Sequence, residues 1–486
     1  MPVTKKTFFV QFSHFFTGQA AGMLLGLITF PVLTRLLSIE QYGMLGFVTN
    51  TIGVAIVFSK AGLSDGIIRF HDEYIISEDR KQVFSSTVFI VGLLLSICVC
   101  LLFLVLLPFL LNWLHIKEQF YPCFYIMALC LLIRPVSNIF MNLLRVHGKT
   151  IAYNTLNLTN NVVSTVLGLL LLIFVVKKLY GYFIGVTVAE WFVFSLLIYW
   201  FFQHYRVSLS SVSGKLAGQL MSFGLPLLAT ELAYMLLTYA DRYMILFYHG
   251  EKELGIYSVG YNLAMYVAQI VTFSLSYAII PLYVKIYTEK GRQETAKFLS
   301  DCLYYLLILV IPVCFGYAAV NKELFVILAS DKYIAAAAFS PVIAVATIIF
   351  GMNSLLNAGL YLHKKSWTIL LIISIGVVLN ILCNFLLLPK FHVMGASLAT
   401  LLACVATSVL TVLFSFRYLA IQIKKDVIYH VLLSTVMYYC VMYISTGTVA
   451  LDLILKVLSG AVIISLGVFL KEKALLNQLR TRFFHR

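Results

Sequence analysis

Charge is scarce in this chain. Only 11% of its 486 residues are Asp, Glu, Lys or Arg, where a soluble domain carries about 25%. So few charges cannot coat a water-facing surface of this size, which excludes a soluble enzyme. Signature loops are missing too. There is no GxxxxGK[ST], no HExxH, no GxSxG, and no GxGxxG after a strand, so no built-in ATPase of that kind and no familiar hydrolytic centre is expected. The nine cysteines all fall in apolar stretches, with no CxxC pair and no metal-ligand spacing with histidine. They read as small packing residues, and no metal or cofactor is expected. Long polar loops are also lacking. The longest, about 71–83, 205–218 and 321–335, leave no extramembranous domain to house soluble chemistry.

What is present is apolar. Hydrophobic residues make up 61%, with a mean hydropathy of +0.96, and this excess must face lipid. A membrane-crossing helix needs about 20 apolar residues. Fourteen stretches qualify: about 8–34, 42–68, 84–112, 120–143, 155–176, 180–203, 219–247, 255–284, 298–320, 336–361, 367–388, 394–416, 428–446 and 449–470. The expected fold is an all-α polytopic membrane protein. The first run starts near Phe8 and continues past Pro31 without an A-x-A site, so it reads as a membrane helix and not a cleaved signal. Trp113, Trp200 and Trp367 lie near predicted helix ends, as interfacial belts require.

The net charge of +15 does not point to nucleic acid, because the basic residues sit in short clusters between apolar runs. With a cytoplasmic N-terminus, 23 Lys and Arg fall on the cytoplasmic side and 8 on the other, with four (Lys60, Arg134, Arg242 and Lys456) inside helices. That bias supports both termini being cytoplasmic and an even number of helices. It does not choose between twelve and fourteen.

A faint repeat runs through the chain. At a shift of 212, Gly43 falls on Gly255, Asn50 on Asn262, Leu63-Ser64 on Leu275-Ser276, Ile67-Ile68 on Ile279-Ile280 and Arg80 on Arg292. At 216, the HGK at His147 meets HKK at His363, and Asn138 and Asn142 correspond to Asn353 and Asn357 at a nearly equal shift. Two pseudo-symmetric six-helix lobes follow, 1–206 and 207–420, with an additional helix pair at 421–470 and a basic cytoplasmic tail at 471–486. An offset of an even helix number makes the repeats parallel, a usual basis of alternating access.

Ionisable side chains inside a membrane are costly and by default face a polar path. Lys60, Asp65 and Arg69 end the second helix, with Asp65 and Arg69 four apart on one face. Lys60 lies deepest. Snorkelling to headgroups is the alternative for Arg69. Arg134 precedes Pro135, and either lines the pathway or repairs the backbone that proline disrupts. Glu231 has no basic residue three or four positions away, which makes it the first candidate for ion coupling, with a static interhelical hydrogen bond as the alternative. Asp241 and Arg242 read as a structural or gating pair with other helices. Glu190 is similarly isolated. The membrane asparagines, among them Asn380 and Asn384, could bind sugar hydroxyls or neighbouring helices.

One stretch is more specific. GLITFPVLTRLLSIEQYGMLGFV (26–48) followed by KAGLSDGIIRFHDEY (60–74) resembles the start of bacterial polysaccharide flippases of the Wzx type. These form a branch of the multidrug/oligosaccharidyl-lipid/polysaccharide exporter superfamily, which also holds multidrug extruders and the lipid II flippase. FGLPLL at Phe223, ADRYMI at Ala240 and GEKELGIYSVGYN at Gly250 resemble the start of that family's second lobe.

The resemblance implies two six-helix lobes around a cationic cavity lined by helices 1, 2, 7 and 8. It implies a cargo of oligosaccharide on undecaprenyl pyrophosphate, for O-antigen or a related surface glycan of the cytoplasmic membrane. Membrane lipids, a coupling proton or sodium ion, and other polysaccharide-assembly proteins are the implied partners. Carried over by position, the pathway candidates are Arg35, Lys60, Asp65 and Arg69, with Arg134 and Arg242 added from the helix charges. Glu231, Asp65 and Asp241 are the ion-coupling candidates. Helix 8 departs from the pattern, carrying no ionisable residue between Glu253 and Lys285. A multidrug-type antiporter would want an acidic cavity, against the basic membrane interior here. A glycan polymerase or ligase would need a sizeable outer loop.

Overall fold

The computed structural model describes the backbone of residues 5–484 and the side chains of residues 20–270 and 279–471. A backbone in hydrocarbon must satisfy its own hydrogen bonds, and this chain does so with helices throughout the described residues. They are α1 (Lys5–Leu36), α2 (Ile39–Lys60), α3 (Leu63–Tyr74), α4 (Glu78–Trp113), α5 (Tyr121–Val146), α6 (Thr150–Leu170) and α7 (Leu179–His204). There follow α8 (Gly214–Leu324), α9 (Ser340–Gly351), α10 (Asn353–Leu356), α11 (Ala358–Leu362), α12 (Ser366–Ser415), α13 (Val427–Met442) and α14 (Val449–Phe484). Among the described residues, ten helical runs are long and apolar enough to cross a membrane. The longest runs are not straight. Gly250 and Gly291 turn left-handed inside α8, at φ of 77° and 79°, and His392 breaks α12 at φ 51°. Each of the fourteen predicted stretches falls mainly on helix.

Two predicted stretches are interrupted. The second is split into α2 and α3 by Ala61 and Gly62, both left-handed (φ 44° and 74°). The stretch at 336–361 is split into short helices at Met352 and Asn357. Elsewhere the ends are conventional. Ser38 and Gln41 form a capping box that starts α2, with Gln41 N–H donating to Ser38 Oγ (3.2 Å) and Ser38 N–H donating to Gln41 Oε1 (3.0 Å).

The chain forms two compact units, Met1–Gly255 and Ile256–Arg486. The first has a core of Leu63, Ile67, Phe84, Val136, Phe140, Phe201 and Leu220, with Phe140 stacked on Phe201 at 4.4 Å between ring centroids. The second has its own core, including Ile279, Tyr283, Leu299, Leu355 and Leu419.

The same local construction recurs in both units. After α5, His147 Nδ1 lies 2.9 Å from the Leu143 carbonyl, Gly148 turns left-handed, and His147 Nε2 meets Tyr205 Oη at 3.2 Å. After α11, His363 Nδ1 lies 2.9 Å from the Gly359 carbonyl, Lys364 turns left-handed, and the His363 ring packs on Tyr418 at 4.7 Å. Ser86 Oγ accepts from Ser208 N–H in the first unit, and Ser300 Oγ from Gln422 N–H in the second, 214 positions on in each case. Side chains hundreds of positions apart have no local reason to repeat a tertiary contact at one offset, whereas a duplicated chain would inherit it. Of the sequence matches, Leu275-Ser276 falls outside the described side chains, as do all but the first residue of the tail 471–486 and Lys5 and Lys6.

Candidate functional site

The site is built along α2 and the segment 214–249 of α8, which run antiparallel. Their contacts step in order along both helices. Gly62 meets Gly224, Lys60 meets Glu231, Gly53 faces Met235, and Thr51 Oγ1 lies 3.0 Å from Tyr243 Oη. Phe47 packs edge-on against Tyr243 at 4.8 Å. Close approach at the two ends depends on glycine. A Cβ on Gly224 would stand 1.9 Å from the Gly62 carbonyl oxygen, and one on Gly255 would stand 2.0 Å from the Ile39 carbonyl oxygen.

Within this seam, Lys60 Nζ donates to Glu231 Oε1 at 2.8 Å. Glu231, expected to be unpaired, has its cation on another helix, 171 positions away. The pair is not sealed in: the side chains are 20% and 41% exposed. Asp65, in the first turn of α3, lies within charge-interaction range of both. With all three ionised, the group carries a surplus negative charge.

The other candidates lie elsewhere. Arg35 is exposed at the end of α1, donating to the Pro31 carbonyl at 3.2 Å. Arg69 pairs with Glu73 on its own helix at 2.7 Å, not with Asp65, and is exposed. Arg134 Nε and Nη2 both donate to Glu190, a bidentate pair inside the first unit in which Glu190 is buried. Glu190 had looked isolated in sequence. Asp241 and Arg242 are buried and pair with each other at 3.2 Å, and Arg242 also donates to the Thr238 carbonyl. Asn380 and Asn384 are fully buried, bonded to one another and to Thr400, which is helix-to-helix work. No cluster of His, Cys, Asp or Glu among the described residues could hold a metal.

Sequence reasoning missed the glycine contacts, and saw the histidine turn only as the HGK–HKK repeat match. Gly43 and Gly255 were visible only as a repeat match. Around His147 stand His71, whose ring is 4.9 Å away, Trp200, and Lys149, which lies 3.4 Å from His204 Nε2. Burial pushes His147 below the ordinary histidine range, and the positive charge of Lys149 acts in the same direction.

The family described as polysaccharide biosynthesis protein matches residues 11–287, more than half the chain. The chain belongs to that family. A second family, MatE, matches residues 226–386. The chain is 24% identical to an uncharacterized membrane protein of Methanocaldococcus jannaschii over 384 residues, 74% of each chain. It is 20% identical to the probable low-salt glycan biosynthesis flippase Agl15 of Haloferax volcanii, over 49% of this chain and 51% of that one. Its fold is similar to the lipid II flippase MurJ in an inward closed conformation, with a TM-score of 0.80 at 16% identity over 96% of this chain and 100% of that one. It is also similar to an inward-facing multidrug resistance MATE family transporter of the MOP superfamily, with a TM-score of 0.70 at 13% identity over 82% and 94%. These findings bear out the resemblance to a polysaccharide family read from the sequence, and with the apolar helices they make this a multi-pass membrane protein of that family.

Proposed function

We propose that this chain is a flippase for a lipid-linked oligosaccharide, moving a sugar repeat unit on undecaprenyl pyrophosphate from the inner to the outer leaflet of a bacterial cytoplasmic membrane. The observation that carries this reading is the half-exposed Lys60–Glu231 pair beside Asp65, on helices of a polysaccharide-family membrane protein. A sugar head cannot cross hydrocarbon alone, since each unsatisfied hydroxyl costs a few kcal/mol. An ammonium in a polar seam can replace water around a diphosphate, while the lipid tail stays in the bilayer. An inside-negative potential favours outward movement of the anionic head by about 2.3 kcal/mol per charge per 100 mV. The relative named a probable glycan flippase, and the fold shared with a lipid II flippase, support this reading.

In this scheme Lys60 and Arg69 attract the head from the cytoplasmic side. Lobes 1–206 and 207–420 rock in alternating access, and Glu231 and Asp65 couple transport to a proton or sodium gradient. The helix pair 421–470 and the tail 471–486 are appended to the transport lobes. O-antigen or a related surface glycan is the product served, with other assembly proteins as partners, and no catalytic step is assigned.

The MatE match favours a second reading, a small-molecule antiporter. A deletion strain decides between them. Lipid-linked oligosaccharide accumulating on the inner leaflet, with synthesis intact, is the result expected of a flippase. Normal surface glycan together with sensitivity to cationic drugs would favour the antiporter. In the complemented strain, Lys60→Ala should abolish surface glycan while the protein remains in the membrane, and normal export by that variant would remove Lys60 from the pathway.

A further inference from the structure

We propose that α6 carries a sugar-binding strip: Asn157, Asn160, Asn161 and Ser164 hydrogen-bond hydroxyls of the oligosaccharide as it crosses. This rests on the lipid-linked oligosaccharide reading above and adds where the sugar, as distinct from the diphosphate, is recognised.

α6 begins the apolar span Thr150–Val175. Successive residues of a helix stand about 100° apart around its axis, so the exposed residues of α6 can be sorted by face. They fall into two groups. Ile151, Thr155, Val162, Val166 and Leu170 are exposed on one face, apolar but for a single threonine. Asn157 and Asn161, four apart, are exposed on the opposite face. A membrane helix turns its apolar face to lipid, so the asparagine face turns away from it.

That face holds two more polar groups. Asn160 Oδ1 and Ser164 Oγ are buried with no hydrogen-bond partner among the described residues, and the four residues span an arc of about 100°. Asn157 and Asn161 likewise have no partner among the described residues. Other polar side chains of this protein's membrane helices behave differently. Thr51 and Ser96 donate to carbonyls four positions back, Asn142 donates to the Ser64 carbonyl, and Asn384 donates to Asn380. Buried polar groups are almost always paired. A strip of unpaired ones, beginning about 10 Å from the start of α6 and ending about 21 Å from it, points to a partner that comes and goes.

The chemistry of the strip says which partner. None of the four side chains carries charge. An amide offers two donors and an acceptor oxygen, and a hydroxyl both donates and accepts. That matches neutral sugar hydroxyls, which donate and accept in turn, and gives no charge-assisted hold on a diphosphate or a cation. The amides at 157 and 161 stand about 6 Å apart along the helix, so they reach different hydroxyls.

The test uses the full chain in a sugar-free detergent, read by native mass spectrometry, which counts bound lipid and chain copies together. Two ligands are compared: the lipid-linked oligosaccharide extracted from the deletion strain, and undecaprenyl diphosphate without sugar. A net hydrogen bond is worth roughly fivefold in affinity. Asn157→Leu with Asn161→Leu should therefore weaken binding of the glycolipid at least about tenfold and leave binding of undecaprenyl diphosphate as in the wild type. Asn157→Ser with Asn161→Ser, which shortens the reach of the strip, carries the same test should the leucine variant fail to reach the membrane. Unchanged glycolipid affinity in the variant, or equal loss for both ligands, would overturn the strip. So would a wild type that holds the glycolipid no tighter than undecaprenyl diphosphate. A wild-type dimer that the variant loses would overturn it too, since the asparagines would then join two copies. A deletion strain that accumulates no glycolipid, or a wild type that binds neither ligand, would instead sink the lipid-linked oligosaccharide reading and the strip with it.

Discussion

Arg134 shows how a membrane charge is understood only with its partner. In sequence it stands before a proline with nothing opposite in charge nearby. In the structure both ends of its guanidinium fork engage Glu190, 56 positions on. Removing one partner of a buried pair leaves a stranded charge and costs about 3–5 kcal/mol, whereas replacing both by apolar residues is often neutral. Arg134→Met and Glu190→Gln should therefore each sharply lower the melting temperature in detergent. The double variant Arg134→Met with Glu190→Met should recover most of the loss and still export glycan. A stable double variant without export would return Arg134 to the transport pathway. Local spacing rules reach only three or four positions, which is why the sequence flagged Lys60, Glu231, Arg134 and Glu190 but could pair none of them.

His147 carries a pH dependence of definite sign. Burial favours its neutral form in the fold, so the unfolded chain binds a proton at the ordinary histidine value and the folded chain does so only at lower pH. The unfolded state thus holds more protons in that window. Stability from this residue is complete above the ordinary histidine range, about 6.5, and is lost as pH falls below it. Melting curves from pH 8 to pH 5 should show that loss, and His147→Gln should reduce it. An unchanged slope in the variant would assign the acid sensitivity to other groups.

At the scale of elements, lipid made most of the fold legible. Hydrocarbon confines crossing segments to helices or closed barrels, and runs of about 20 apolar residues suit only the helix, so apolar length alone located most of the helical runs. It could not locate the break between α2 and α3. Ala61 and Gly62 continue an apolar run, and what ends the helix is a left-handed turn pressed against Gly224, a tertiary fact. That contact has a sharp consequence. A Cβ at Gly224 would collide with backbone at 1.9 Å, while one at Gly218, on the same helix, would meet nothing within 4 Å. Gly224→Ala should therefore separate α2 from α8 and cut export severely at normal membrane levels. Gly218→Ala should be silent, or slightly stabilising through helix propensity. Equal behaviour of the two variants in an export assay would show that close packing at Gly62 is not required.

For the whole molecule, the repeat and the charge bias make separate statements that must agree. The recurring histidine turns, after α5 and after α11, are what a parallel duplication would predict for His147 and His363. Parallel repeats keep the same sidedness, so both turns must lie on one side of the membrane. The distribution of Lys and Arg predicts that this side is the cytoplasm, with the loops holding Lys117 and Lys252 opposite. Reporter domains fused after Lys149 and after Lys365 should therefore both read as cytoplasmic, and fusions after Lys117 and after Lys252 as external. If the two histidine turns reported opposite sides, an odd number of crossings would separate them, and the parallel duplication would fail. With it would go the reason for proposing two equivalent lobes.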